Sequence, residues 1–111
     1  MSALGKIAWR GLFRMDRGEL SALLKPVLWD VRLDITEAIA LIERKKRDIR
    51  GITADDLYRK LLMSYNWYRL VQVFGIDYLQ RYVLRDPVIE RLFPASMKKR
   101  YLYVRTILLS E

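Results

Sequence analysis

Three helix-start signals coincide in the segment 52–57, and they constrain the fold more than any other feature of the chain. Thr53 and Asp56 stand in the Thr-x-x-Asp order of a capping box, and Ile52 and Leu57 flank them as the two halves of a hydrophobic staple. From Thr53 the spacing predicts a helix to about Phe74, stopped by Gly75. Leu57, Leu61, Tyr65 and Tyr68 fall on one seam of that helix. Tyr58, Leu62, Trp67, Leu70, Val71 and Val73 occupy much of the rest. A helix apolar on most sides is buried on most sides. In a chain of 111 residues that favours contact with another protein.

The neighbouring segments also read as helices. Asp34 and Glu37 form a second capping box, followed by Ile35, Ala38, Ile39, Ile42 and Ile49 on one side. Arg44, Lys45, Lys46, Arg47 and Arg50 crowd the end of this helix, where cations favour the dipole, and Gly51 is its expected left-handed stop. Asp77 with Gln80 predicts a short helix burying Leu79, Tyr82 and Val83. Asp86-Pro87 predicts another, which Pro94 ends. A last helix from about Ser96 would show Met97, Tyr101, Val104 and Leu108 on one face. Two stretches read both ways. Val27, Trp29, Val31 and Leu33 alternate like a strand, while Leu20, Leu24, Val27, Leu28 and Val31 fit a helical stripe. The β-branched Val104, Thr106 and Ile107 keep a strand open for 101–109, its sole available partner. Neither a repeat nor a linker is visible. The expectation is an all-α fold, a single small domain of four to six helices over 18–111.

Ahead of it lies a basic amphipathic N-terminal segment, 1–17. Its first fifteen residues contain no acid. Lys6, Arg10, Arg14 and Arg17 fall within about 80° of a helical wheel, opposite Leu4, Ala8, Trp9, Leu12 and Met15. Such a pattern suits a mitochondrial targeting segment, a helix on an anionic membrane surface, or an ordinary first helix packed on the domain.

Several function classes are excluded by composition. Without Cys there is no thiol nucleophile, iron–sulfur cluster or Cys-ligated zinc, and without His no histidine base or imidazole ligand. Asp55 and Asp56 are adjacent and point about 100° apart on a helix, so they cannot share a substrate. Capping and charge pairing account for the acids. No glycine-rich loop cradles phosphate, and no run of apolar residues is long enough to span a bilayer, since Leu61 to Ile76 contains Arg69. The expectation is a non-enzyme with no cofactor and no metal.

The chain has 21 Lys and Arg against 13 Asp and Glu, a net charge of +8. That attracts phosphate, and the runs Arg44, Lys45, Lys46, Arg47 and Lys98, Lys99, Arg100 are the candidate contacts. Phe74-Gly75-Ile76-Asp77 has the order of a helix-turn-helix turn, but Arg81 falls where the second helix needs a core residue. A basic nucleic-acid-binding or ribonucleoprotein subunit, associated with the mitochondrial ribosome, is therefore the alternative reading.

Leu57-Tyr58-Arg59-Lys60-Leu61-Leu62 resembles the LYR-motif proteins, small basic three-helix proteins of mitochondria, and Asp86-Pro87-Val88-Ile89 resembles a stretch before their third helix. In this chain about fifty residues precede the tripeptide. A second resemblance runs through Trp67-Tyr68, Phe74-Gly75, Leu84-Arg85-Asp86, the stretch 89–94, Arg100 and Val104-Arg105. These are similar, in order, to the 14 kDa-type helical subunit of the cytochrome bc1 complex, without its longer C-terminal extension. Both resemblances imply a non-catalytic accessory subunit of a respiratory complex, mitochondrial and peripheral to the inner membrane. They imply partner contacts through Leu57, Tyr58, Arg59, Lys60, Trp67 and Tyr68, and the LYR resemblance implies an acyl-carrier protein as a partner. Trp9, Trp29 and Trp67 are further candidate anchors, because aromatics dominate interface energetics. The basic surface, Lys6, Arg10 and Arg14 with Arg44 to Arg47 and Lys98 to Arg100, would face anionic lipid, acidic protein or RNA.

Overall fold

The computed structural model describes residues 16–109, so residues 1–15 of the N-terminal segment, with Trp9 and the three cations Lys6, Arg10 and Arg14, lie outside the described residues, while its last two, Asp16 and Arg17, open the first helix of the domain. Within 16–109 the fold is all-α, with seven α-helical segments and one two-residue hairpin. Helix α1 is Arg17–Leu24. Asp16 caps it by accepting from the Gly18 N–H at 3.1 Å, and Leu20, Leu23 and Leu24 are buried. Pro26 cannot extend the helix, and the chain tightens into a 3₁₀ turn, Lys25–Val27. The stretch 27–33 then runs irregularly: Val27, Leu28 and Leu33 point inward while Trp29 and Asp30 point out. Neither 27–33 nor 101–109 forms a strand: the first is turn and bend after Val27, and the second is helical.

Helix α2 is Ile35–Ile42, opened by the expected box: Glu37 N–H donates to Asp34 at 2.8 Å and Asp34 N–H to Glu37 at 3.0 Å. It stops eight residues sooner than the spacing predicts. Continuing it would stack Arg44 with Arg47 and Lys46 with Arg50, like charges at destabilising helical separations. Instead Arg44 turns the chain at φ 63°. A hairpin follows, strands β1 (Asp48–Ile49) and β2 (Ile52–Thr53), with Ile49 opposite Ile52. Arg50 (φ 52°) and Gly51 (φ 82°) both take positive φ, as a tight two-residue hairpin demands. Gly51 is left-handed as expected, but it turns a hairpin rather than ending a helix. Arg50 is held in this conformation by its guanidinium, which donates to the Arg32 carbonyl (3.0 and 2.6 Å) and to Glu37.

Helix α3 is Ala54–Ser64, and Thr53 N–H donates to Asp56 at 2.9 Å across its start. The long helix expected to reach Phe74 is broken here. Tyr65 is extended, and its hydroxyl donates to the Leu23 carbonyl at 2.6 Å. Asn66 then caps a new helix, α4 (Trp67–Phe74), by accepting from the Arg69 N–H at 2.8 Å. The break changes the argument from apolarity. Each half buries one face in the chain's own core: Leu57, Tyr58, Leu61 and Leu62 from α3, and Leu70, Val73 and Phe74 from α4.

Gly75, at φ 81°, ends α4 and stands at the cap of α5 (Ile76–Tyr78), so Asp77 lies inside the first turn rather than at the cap. The helix continues into a π turn, Leu79–Val83. Helix α6 (Asp86–Ile89) starts one residue before the expected position, with Arg85 as cap and Pro87 in the first turn. Helix α7 (Ala95–Leu109) follows Pro94. Its inner face is the expected one: Tyr101 is buried, and Met97, Val104 and Leu108 pack half-buried against the core. Helix α3 is the hub, packing on α2, α4, α6 and the 3₁₀ turn. Among the described residues no helix is long and apolar enough to cross a membrane.

Candidate functional site

The hexapeptide 57–62 divides between core and surface. Leu57 and Tyr58 have no solvent exposure. Tyr78 donates its single hydroxyl hydrogen to the Ile42 carbonyl at 2.5 Å, so the Tyr58 hydroxyl must donate to Tyr78, 2.7 Å away. Burial pushes both phenols well above the usual tyrosine range, which keeps them neutral. In this fold these two side chains are therefore structural, and only Arg59 and Lys60 of the tripeptide region reach the surface. Lys60 donates to Asp30 at 2.5 Å and, through that hydrogen bond, holds its carboxyl below the usual aspartate value. Trp67 is half-buried, its ring centroid 6.2 Å from that of Tyr101.

Tyr68 is different. It is 80% exposed, as are Trp29 (84%), Phe93 (78%) and Tyr103 (68%). Helix α7 adds Leu102, Ile107 and Leu109, all exposed. Its exposed apolar residues thus leave the core on two flanks, Leu102 with Leu109 and Tyr103 with Ile107, on either side of Lys99 and Thr106. Composition announces the aromatic excess, but the periodicity of 95–109 shows only the inner face clearly, because Leu102 and Tyr103 sit off the stripe of Met97, Tyr101, Val104 and Leu108.

The second surface feature is electrostatic. A cavity of about 400 Å³ opens between the 44–47 turn and the start of α3. Five cations line it, Arg44, Lys45, Lys46, Arg47 and Arg85, with one carboxylate, Asp55. The Arg44 guanidinium lies 4.4 Å over the Tyr82 ring. Arg85 donates from Nε to the Tyr82 carbonyl at 3.0 Å and pairs through Nη2 with Asp55. Tyr82, presented by the π turn, therefore fixes both guanidiniums, one by its ring and one by its backbone. Lys45 meets Glu43 at 3.2 Å. Arg17 also bonds Glu43, and these contacts, Arg17's first, hold its carboxyl below the usual glutamate value. Arg44, Lys46 and Arg47 have no carboxylate partner among the described residues.

The predicted basic residues are thus brought together only in part. Arg44, Lys45, Lys46 and Arg47 share the cavity, whereas Lys98, Lys99 and Arg100 sit on α7 and do not line it. Arg85 was missed by sequence reasoning. It reaches the cavity through a tertiary contact with Asp55, thirty residues away in the chain, and no local pattern signals that. Among the described residues no group of three or more acidic side chains is placed to hold a metal ion. No family model, no curated protein and no solved structure matches the chain.

Proposed function

We propose that the chain is a non-catalytic accessory subunit of a larger assembly, acting through helical protein–protein contacts. The observation that carries this reading is the set of large aromatic side chains left in water: Trp29, Tyr68, Phe93 and Tyr103, with the exposed flanks of α7. Exposed aromatics of this kind are the residues that dominate interface energetics once a partner desolvates them. The sequence resemblances and the acid-free first fifteen residues support a respiratory complex of the mitochondrial inner membrane as that assembly. An acyl-carrier protein, in this reading, meets Arg59 and Lys60, because Leu57 and Tyr58 are occupied in the core.

The test uses tagged chain in its native cells, fractionated under native conditions. The parent is expected to migrate with respiratory-complex subunits in a large particle. The variant Trp29→Ala/Tyr68→Ala/Tyr103→Ala is expected to fall to the size of the free chain while keeping its helical circular dichroism. Migration of the parent as a free chain outside mitochondria would sink the reading. The net charge of +8 and the two separate basic runs, 44–47 and 98–100, favour a second reading, contact with RNA. Under that reading affinity for a single strand falls with salt at a log–log slope of about −0.7 per phosphate contacted.

A further inference from the structure

We propose that the cavity between the 44–47 turn and α3 is a recognition site for a multiply charged phosphate group, a pyrophosphate or phosphomonoester. This goes beyond the subunit reading and does not depend on it. Asp55 pairs with Arg85 and Glu43 with Lys45, which leaves Arg44, Lys46 and Arg47 as three positive charges without a carboxylate at one concavity. A monocarboxylate would neutralise one of them; a phosphomonoester or pyrophosphate neutralises two or more. Three of the cations are arginines, whose planar forks suit paired phosphate oxygens. Two of these are held before any ligand arrives, Arg44 by the Tyr82 ring and Arg85 by the Tyr82 carbonyl and Asp55. Binding therefore orders little that is not already ordered, which is how preorganisation gains affinity. Lys46 and Arg47 lie on the same turn with no partner of their own among the described residues. At about 400 Å³ the space falls in the range of small-ligand pockets. A nucleic-acid backbone instead wants cations strung along a groove; here they converge on one hollow.

The group could belong to a soluble phosphorylated molecule or to a lipid headgroup. The chemistry is shared, and two arms of one experiment separate the sources. In the first, the full chain is titrated calorimetrically with sodium pyrophosphate, alongside Arg44→Gln and Lys46→Gln/Arg47→Gln. The double variant alters side chains with no ion-pair partner, so it is expected to fold as the parent does, which a melt without ligand checks. The expected result is saturable one-site binding, weakened at least about tenfold by either change. In the second arm, vesicles of phosphatidylcholine carry phosphatidic acid or, at matched charge density, phosphatidylserine. Retention on phosphatidic acid alone, released by pyrophosphate, assigns a headgroup; pyrophosphate binding without vesicle retention assigns a soluble ligand. Either upholds the site. Absence of saturable pyrophosphate binding, whatever vesicles or RNA retain, overturns it, as does binding left unchanged by both variants.

Discussion

Helices α3 and α7 are both rich in apolar side chains, and they use them oppositely. In α3, Leu57, Tyr58, Leu61 and Leu62 all turn into the core, and the outer side is mainly polar. In α7 only Tyr101 is fully buried, while Leu102, Tyr103, Ile107 and Leu109 are exposed on its two flanks. Apolarity around a helix therefore does not by itself call for a partner. The chain can break the helix and fold the pieces back, as Tyr65 and Asn66 do. Apolarity left over after folding does call for one; most of it sits on α7 and at Phe93 just before it, with Tyr68 on α4 and Trp29 after the 3₁₀ turn as further exposed rings.

The largest expected effect contrasts the two kinds of tyrosine. Tyr78→Ala removes a fully buried ring and both hydrogen bonds of its hydroxyl, and should cost about 3–5 kcal/mol. Against a total of about 5–15 kcal/mol that is close to unfolding. Tyr103→Ala on an exposed flank of α7 should change stability by less than about 0.5 kcal/mol. Urea denaturation of both variants checks the contrast, and a similar loss in both would erase it.

The hinge between α3 and α4 comes next. Asn66→Ala deletes the acceptor for the Arg69 N–H and should cost about 1 kcal/mol, measurable in the same way. A gain in helicity and stability instead would mean that the unbroken helix competes with the broken one.

The smallest effect is a pH dependence. Glu43 is held below its ordinary value of 4.5 by Arg17 and Lys45, so the folded state binds its proton less readily than the unfolded state does. That stabilisation is complete above the ordinary value and fades as pH falls through the lower, folded one. Glu43→Gln should flatten the acid limb of the stability curve and leave the neutral region nearly level. Tyr78 works at the other end. Its raised value makes stability fall as pH rises past 10, as do those of Tyr58 and Tyr101, and Tyr78→Phe should lessen that slope without abolishing it.

What could be read in advance follows from the range of the interactions involved. The boxes at Asp34–Glu37 and Thr53–Asp56 close within four residues, and both are found where their spacing puts them. The inner face of α7 follows from periodicity alone. Gly51 misled because a left-handed glycine serves a helix stop and a hairpin turn equally. The deciding event is Arg50 also taking positive φ, held by Arg32 and Glu37 from another part of the chain. Asn66 was hidden by the apolar residues on either side of it, which continue the helical period across the break. The cavity was half legible: its four clustered cations are contiguous, whereas Arg85 and Tyr82 join them only through packing.

The central claim is that the outward aromatics are interface left open in a lone chain. Hydroxyl-radical footprinting of Trp29, Tyr68 and Tyr103, in the purified chain and again in native extract, tests it most directly. The account predicts heavy modification of all three when the chain is alone and strong protection in the extract, with Tyr58 and Tyr78 protected in both. Equal modification of the three in both preparations would contradict it.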